Sequence, residues 1–181
     1  RPLVRWALDT PDLVDAVARW NLTWTQPATN PMWGLFDMAM VGTLDGDNDA
    51  IAAVRRMLLT LPQSAIRRCD ASFGANAGPA RFGWGVPLSI PLAYDTIHGT
   101  LSPEDRRQFC AWSADYLIRD FLGLVAPGYY KSSGSNGTLG YMTVALPTIL
   151  AIRGDPNVPS LEEELKRCIS YFEATLHTAI G

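Results

Sequence analysis

The sequence predicts an all-α fold built from repeated antiparallel helix pairs, and three observations support this prediction. A period of roughly 50 residues runs through the chain, as in helical repeat proteins. Apolar and amphipathic helical patterns alternate within that period, and no strand pattern of useful length occurs. Hydrophobic residues make up 48% and charged residues 18% of the 181 residues, a globular balance that fits one domain over residues 1–181.

The repeat is visible at the starts of the apolar helices and at the turns after them. The starts are predicted 51 and 52 residues apart, at Trp33, Trp84 and Asn136. Glycines mark the turns at intervals of 53 and 55 residues: Gly46, Gly99 and Gly154. Three helix pairs are therefore predicted at about 33–61, 84–122 and 136–178.

The two helices of each pair differ in character. The first is apolar nearly all round, which predicts an inner helix covered on both sides. The second is amphipathic, as in 161–176, and is expected to form an outer layer. Two prolines within the inner helices, Pro91 and Pro147, are expected to bend them.

Helix-start signals follow each turn. Asp47 is predicted to cap the outer helix of the first pair, and Ser102 is predicted to cap that of the second. Pro103 then occupies the first helical position, where its missing N–H costs no hydrogen bond. In the third pair Ser160 and Glu163 have the spacing of a capping box.

Composition excludes several classes of function. A net charge of −3 gives no electrostatic case for nucleic-acid binding, and no run of 18 apolar residues predicts a membrane span. The three cysteines lack the CxxC spacing of a zinc site, so neither a metal nor another cofactor is predicted. Cys110 and Cys168 are expected to face the core.

A secreted or periplasmic location is expected, and the signals for it are indirect. The chain begins without an initiator methionine or a signal peptide, so it is expected to be either processed or without its front end. Two Asn-x-Thr sequons, at Asn21 and Asn136, hint at an oxidising compartment.

The links between pairs, about 21–32, 62–83 and 123–135, are long, and an up-down array places them all at the starts of the inner helices. Loops of this length in a compact domain usually carry function. Aromatic rings stack on sugar rings, amides and cations bind hydroxyls and carboxylates, and helix N-termini favour anions. The candidate binding residues are Trp24, Asn30, Trp33, Arg81, Trp84 and Lys131. The alternative is that Trp33 and Trp84 only close the core beneath the loops.

Two stretches resemble one family of enzymes. The segment LSIPLAYDTIHGTLSPEDR at 88–106 resembles a structural motif of heparinase II/III-like and alginate-lyase-like α/α toroids. The segment SNGTLGYMTVALPTILAI at 135–152, followed by Gly154 and Asp155, is similar to the next inner helix of those enzymes. The two stretches together cover about a fifth of the chain. It implies a metal-independent lyase that cleaves a uronate-containing polysaccharide by β-elimination, so the implied partner is an anionic polysaccharide.

The resemblance also implies roles for individual residues. In this family an Asn neutralises the uronate carboxylate and a Tyr or His removes the C5 proton. Asn136 matches that Asn, while a helix cap is its alternative role. Tyr129, Tyr130 and Tyr141 are candidates for the phenol. The family's Asn-Asn-His or Asn-Trp signature is absent, and GSNG stands in its place at 134–137. His98 falls at a turn, away from the candidate site.

Three helix pairs are too few to close a toroid, so an incomplete toroid is expected, with further pairs beyond Gly181. Two other functions remain open. A glycoside hydrolase on the same fold would need two carboxylates near the long links, where Asp37 and Asp70 are the candidates. A non-catalytic helical repeat that binds a glycan or a partner is the third possibility.

Overall fold

The computed structural model describes residues 2–21, 34–72, 88–119, 122 and 136–180. Within these ranges every regular element is helical and none is a strand, which confirms the all-α prediction. The α-helices are, in chain order, α1 (Pro2–Asp9), α2 (Leu13–Asn21), α3 (Leu35–Asp45), α4 (Asn48–Ser72), α5 (Ser89–Ile97), α6 (Pro103–Trp112), α7 (Asn136–Ile152) and α8 (Glu162–Ile180). A 3₁₀ turn (His98–Thr100) follows α5, and a π-helix (Ser113–Arg119) continues α6.

Three apolar helices form a continuous row in the described part of the chain. Helix α5 packs against α3 on one side and α7 on the other. Helix α4 packs on α3 and contacts α6, the π-helix packs on α7, and α8 also packs on α7. The three helices that the sequence predicts to be inner helices therefore pack side by side. Helices α1 and α2 both pack on α4.

Local chemistry explains the short turn between α3 and α4. Gly46 ends α3 with a φ of 67°, in the left-handed region that glycine adopts without strain. The Asp47 carboxylate then accepts hydrogen bonds from the backbone N–H groups of Asp49 and Ala50 at 3.1 and 3.2 Å. The prediction that Asp47 caps α4 is confirmed. The two helices also approach closely, because a Cβ at Gly42 would lie 2.7 Å from the Ile51 side chain.

Replacement of Gly46 by alanine is expected to lower the free energy of unfolding by about 1 kcal/mol. The cost comes from the left-handed backbone alone, since nothing lies within 4 Å of the added Cβ. Gly99→Ala is the matched control, because that position is equally open but has no positive φ. Urea denaturation followed by circular dichroism measures both variants. Equal losses would contradict this explanation.

The start of α6 also forms as predicted. The Ser102 hydroxyl accepts from the Asp105 backbone N–H at 3.1 Å, and the Asp105 carboxylate accepts from the Ser102 N–H at 3.2 Å. Pro103 lies at the first helical position. The box predicted at Ser160 and Glu163 is wrong: α8 begins at Glu162, and the Glu163 carboxylate accepts from Lys166 at 2.8 Å instead.

Two predicted boundaries also need correction. The link at 62–83 was predicted to be a loop, but α4 continues through Pro62 to Ser72. The inner helix of the second pair begins at Ser89 rather than at 84, so Pro91 falls in its first turn. A first-turn proline removes no intrahelical hydrogen bond, and the bend predicted at Pro91 has no cause there. Pro147 does lie inside a helix, as predicted.

The core lies between the row formed by α3, α5 and α7 and the helices that pack on this row. Tyr94 of α5 stacks on Phe109 of α6 with ring centroids 4.3 Å apart, and both side chains are fully buried. Phe109 also contacts the ring of Trp112 at 5.9 Å. Cys110 and Cys168 are both fully buried free thiols, which confirms that they face the core.

Candidate functional site

One ion pair fixes which helix ends lie together. Arg55 is the eighth residue of α4 and Asp105 is the third of α6. The Arg55 Nε and Nη2 atoms donate to the two Asp105 carboxylate oxygens at 2.7 and 3.1 Å. The starts of the outer helices α4 and α6 are therefore neighbours. The short links before them, at 46–47 and 98–102, lie at this same end, which we name the turn end.

The end of α7 lies near the turn end as well. Burial is the main cause that raises the pKa values of Tyr94 and Cys110, and the negative charge of Asp155, just after α7, adds to both shifts. Tyr94 is near the end of α5, so α5 and α7 finish in the same region. The starts of the three inner helices, at Leu35, Ser89 and Asn136, consequently lie away from the turn end.

The third pair departs from the repeat that the sequence predicts. Glu164 is the third residue of α8, as Asp105 is of α6, but it contacts Arg119 at the end of the π-helix, at 3.3 Å. Arg167 donates to the Leu122 carbonyl at 3.2 Å. The start of α8 therefore lies beside the end of the preceding outer helix, not beside its start.

The predicted site residues fall almost entirely outside the described residues. Those outside are Trp24, Asn30, Trp33, Arg81, Trp84, Tyr129, Tyr130 and Lys131. Asn136 is the first residue of α7, which agrees with its predicted position at the mouth of an inner helix. Its side chain lies outside the described part, as does that of Tyr141.

The motif that carries the family resemblance serves the core in this structure. The Tyr94 hydroxyl and the Cys110 sulfur are 3.1 Å apart in a fully buried pair. Burial raises the pKa of Tyr94 far above its usual range and raises the pKa of Cys110 to about 11. Both groups therefore stay protonated near neutral pH and offer neither a base nor a nucleophile. The rings of His98 and Tyr94 lie nearly perpendicular with their centroids 5.5 Å apart, which places His98 at the turn end as predicted.

Of the two carboxylates that a glycoside hydrolase would need, the structure describes the side chain of one, Asp37. Asp37 is exposed in the first turn of α3. Asp70 is part of helix α4, and its side chain lies outside the described residues. The described residues therefore give no separation between the two carboxylates that would favour that chemistry.

A cleft that the sequence did not predict runs along the exposed side of α3. It has a volume of about 580 Å³ and continues from α3 into the start of α4. We name it the acidic cleft; its lining residues are Val4, Asp37, Met38, Val41, Asp45, Gly46, Asp47, Asn48, Asp49 and Ala50. The available signal was the run DGDND at 45–49, where acidic residues recur at every second position beside an apolar helix.

Comparison of this chain with protein-family models, with curated proteins and with solved structures found no match. The described helices include none that is long and apolar enough to cross a membrane. Among the described residues, no three His, Cys, Asp or Glu side chains converge to hold a metal ion.

Proposed function

We propose that this chain forms part of an α/α toroid that cleaves a uronate-containing polysaccharide by β-elimination. The observation that carries the proposal is the common placement of the inner-helix starts away from the turn end. The candidate side chains from the three long links belong to the segments that lead into Leu35, Ser89 and Asn136. Covalent connection to those starts would gather these segments at one end of the array, where a polymer could contact all three.

The electrostatics at the start of α7 favour an anionic ligand. The N-terminus of each inner helix presents unpaired backbone N–H groups and the positive end of its dipole. Helix α7 begins at Asn136 and runs for 17 residues, and it has no acidic residue in its first turn. An inner helix that starts without a carboxylate leaves its positive end available to a uronate.

In the proposed mechanism, the Asn136 amide donates a hydrogen bond to the uronate carboxylate and stabilises the charge that develops there. Tyr130 or Tyr129 removes the C5 proton, and a phenol O–H donates a proton to the leaving O4 oxygen. The C4–O4 bond breaks as the C4–C5 double bond forms. One chain end gains an unsaturated uronate and the other a free hydroxyl, so the elimination consumes no water and needs no metal. The reaction is proposed to take place in a secreted or periplasmic setting.

The test is to incubate the purified chain with alginate, heparin, hyaluronan and polygalacturonate while recording absorbance near 232 nm, where the unsaturated product absorbs. We expect absorbance to rise with at least one of these polymers. Asn136→Ala and Tyr130→Phe, or Tyr129→Phe if Tyr129 is the phenol, are each expected to lower kcat by roughly 100-fold, because each removes a group that acts in the transition state.

Asn157→Ala and Tyr171→Phe are the matched controls, because they make the same changes at the turn after α7 and on outer helix α8. Both are expected to keep full activity. A rise in reducing ends without absorbance at 232 nm would assign the chain to the glycoside hydrolases. Binding of a polymer without either product would leave only a non-catalytic glycan-binding repeat. Either result would refute the proposed lyase.

A further inference from the structure

The acidic cleft is lined by both carboxylate and apolar side chains. Four carboxylates line it, at Asp37, Asp45, Asp47 and Asp49, and the described lining residues include no Lys or Arg. Apolar side chains of Val4, Met38 and Val41 line it as well. Val41 is 48% exposed, and its neighbour Leu44 is 74% exposed.

The exposed apolar residues follow from the way α3 packs. Leu35, Met38, Ala39 and Gly42 face the core, and the opposite face presents Asp37, Val41 and Leu44. Helix α3 has neighbours in α4 and α5 but remains uncovered along this face in the described structure. An apolar strip with carboxylates along it is complementary to a ligand that has its own apolar strip with cations along it.

We propose that the acidic cleft docks a cationic amphipathic helix of a partner protein. The cleft extends along α3 from Asp37 to Asp45, which corresponds to about 12 Å or two helical turns. That length suits apolar side chains at positions i, i+4 and i+7 of a docked helix. Lysines or arginines at its edges would meet the exposed carboxylates of Asp37, Asp45 and Asp49. This docking role goes beyond the proposed lyase activity and does not depend on it.

The same chemistry excludes two other ligands. Four carboxylates repel an anionic polysaccharide, so this face is not where the proposed substrate binds. A small metal ion would leave the apolar lining unused, and the Asp47 carboxylate is already engaged in capping α4. A ligand that contacts both the carboxylates and the apolar side chains of the cleft must combine cations with apolar groups.

The experiment measures fluorescence anisotropy of a labelled synthetic helix of about four turns, with leucines on one face and lysines at its edges. A second peptide carries glutamates in place of the lysines. We expect saturable binding of the cationic peptide to the full chain, weakening as salt is raised, and at least about tenfold weaker binding of the anionic one.

Asp37→Lys with Asp45→Lys is the test variant, and Glu162→Lys with Glu173→Lys is its control with the same change in net charge. Glu162 and Glu173 are exposed on α8, remote in sequence from the cleft. We expect the test variant to weaken binding by at least about tenfold and the control by less than about twofold. Val41→Gln, which keeps the charge, is expected to weaken binding several-fold, and circular dichroism confirms that each variant is folded.

Three results would overturn the proposal. The first is the absence of saturable binding of the cationic peptide at low salt. The second is equal weakening in the test and control variants, which would indicate attraction to net charge alone. The third is self-association of the chain in sedimentation velocity that Asp37→Lys with Asp45→Lys abolishes, since that would assign the cleft to a second copy of this chain.

Discussion

Phe109→Ala is expected to lower the free energy of unfolding by about 4 kcal/mol. Phe109 is fully buried between the inner and outer rows, where its ring stacks on Tyr94 and contacts Trp112. Truncation removes the buried ring and leaves a cavity that the surrounding helices fill only in part. A loss of this size is a large share of the stability of an ordinary domain.

Urea denaturation measures this loss, with Leu44→Ala as the control. Leu44 is also a large apolar residue, but it is 74% exposed, so its truncation is expected to change stability by less than about 0.5 kcal/mol. Tyr94→Phe separates ring stacking from hydrogen bonding, because it keeps the stacked ring and removes only the contact between the Tyr94 hydroxyl and the Cys110 sulfur. If Phe109→Ala and Leu44→Ala had similar effects, the stacked pair would not be the centre of the core.

Asp105→Ala is expected to lower the free energy of unfolding by about 2 kcal/mol. The Asp105 carboxylate accepts two hydrogen bonds from Arg55 and one from the Ser102 N–H, so it joins α4 to α6 and completes the capping box of α6. Loss of the hydrogen bond from the Ser102 N–H accounts for about 1 kcal/mol. The ion pair with Arg55 contributes about 1 kcal/mol to the free energy of unfolding. Its contribution is limited because the Arg55 side chain is 51% exposed to water.

The control is Glu104→Ala, one residue earlier. Glu104 pairs with Arg107 at 2.6 Å, but both side chains are more than half exposed. Such a pair contributes little in water, so we expect a change below about 0.5 kcal/mol. A loss at Glu104 equal to that at Asp105 would contradict the assigned role of the Arg55 contact.

The Asp105 contribution is also expected to depend on pH. Hydrogen bonds from Arg55, followed by those from Ser102, hold the pKa of the Asp105 carboxyl below its ordinary value of 3.8. The unfolded chain therefore binds this proton more tightly than the folded chain does. The stabilisation is complete above pH 3.8 and is lost as the pH falls below it toward the folded pKa. The difference in free energy of unfolding between the natural chain and Asp105→Asn is therefore expected to decrease as the pH falls below 3.8.

Where local chemistry decides the structure, the sequence was sufficient to predict it. Asp47 caps α4 and Ser102 caps α6 because each carries a side-chain oxygen next to a helix start. The same reasoning failed at Ser160, although the pattern is similar. There the Glu163 carboxylate has a lysine one turn later, and that pair competes with the cap.

Features that depend on distant contacts were not predictable from spacing. Helix α4 continues through Pro62, supported by α1 and α2, which pack along it. The Arg56 guanidinium donates to the Ala7 and Thr10 carbonyls at 2.8 Å, at the end of α1. The displaced start of α8 follows from Arg119 and Glu164, which are 45 residues apart. Periodicity alone could not reveal either contact.

The acidic cleft was missed for a similar reason. The run DGDND at 45–49 has turn and cap features that account for it locally, and Asp47 indeed serves as a cap. Val4 and Met38 join the same cleft only through the packing of α1 and α3. The candidate lyase residues, by contrast, were chosen for their side-chain chemistry in the long links, and they remain predictions.

The three segments leading into the inner helices are proposed to form one polymer-binding end, opposite the turn end. Hydrogen–deuterium exchange of the chain with and without its uronate polymer tests this directly. We predict slower exchange on polymer binding in peptides that cover 22–33, 73–87 and 123–135, and no change at 46–50 or 98–102. Protection confined to the turn end, or to only one of the three segments, would contradict it.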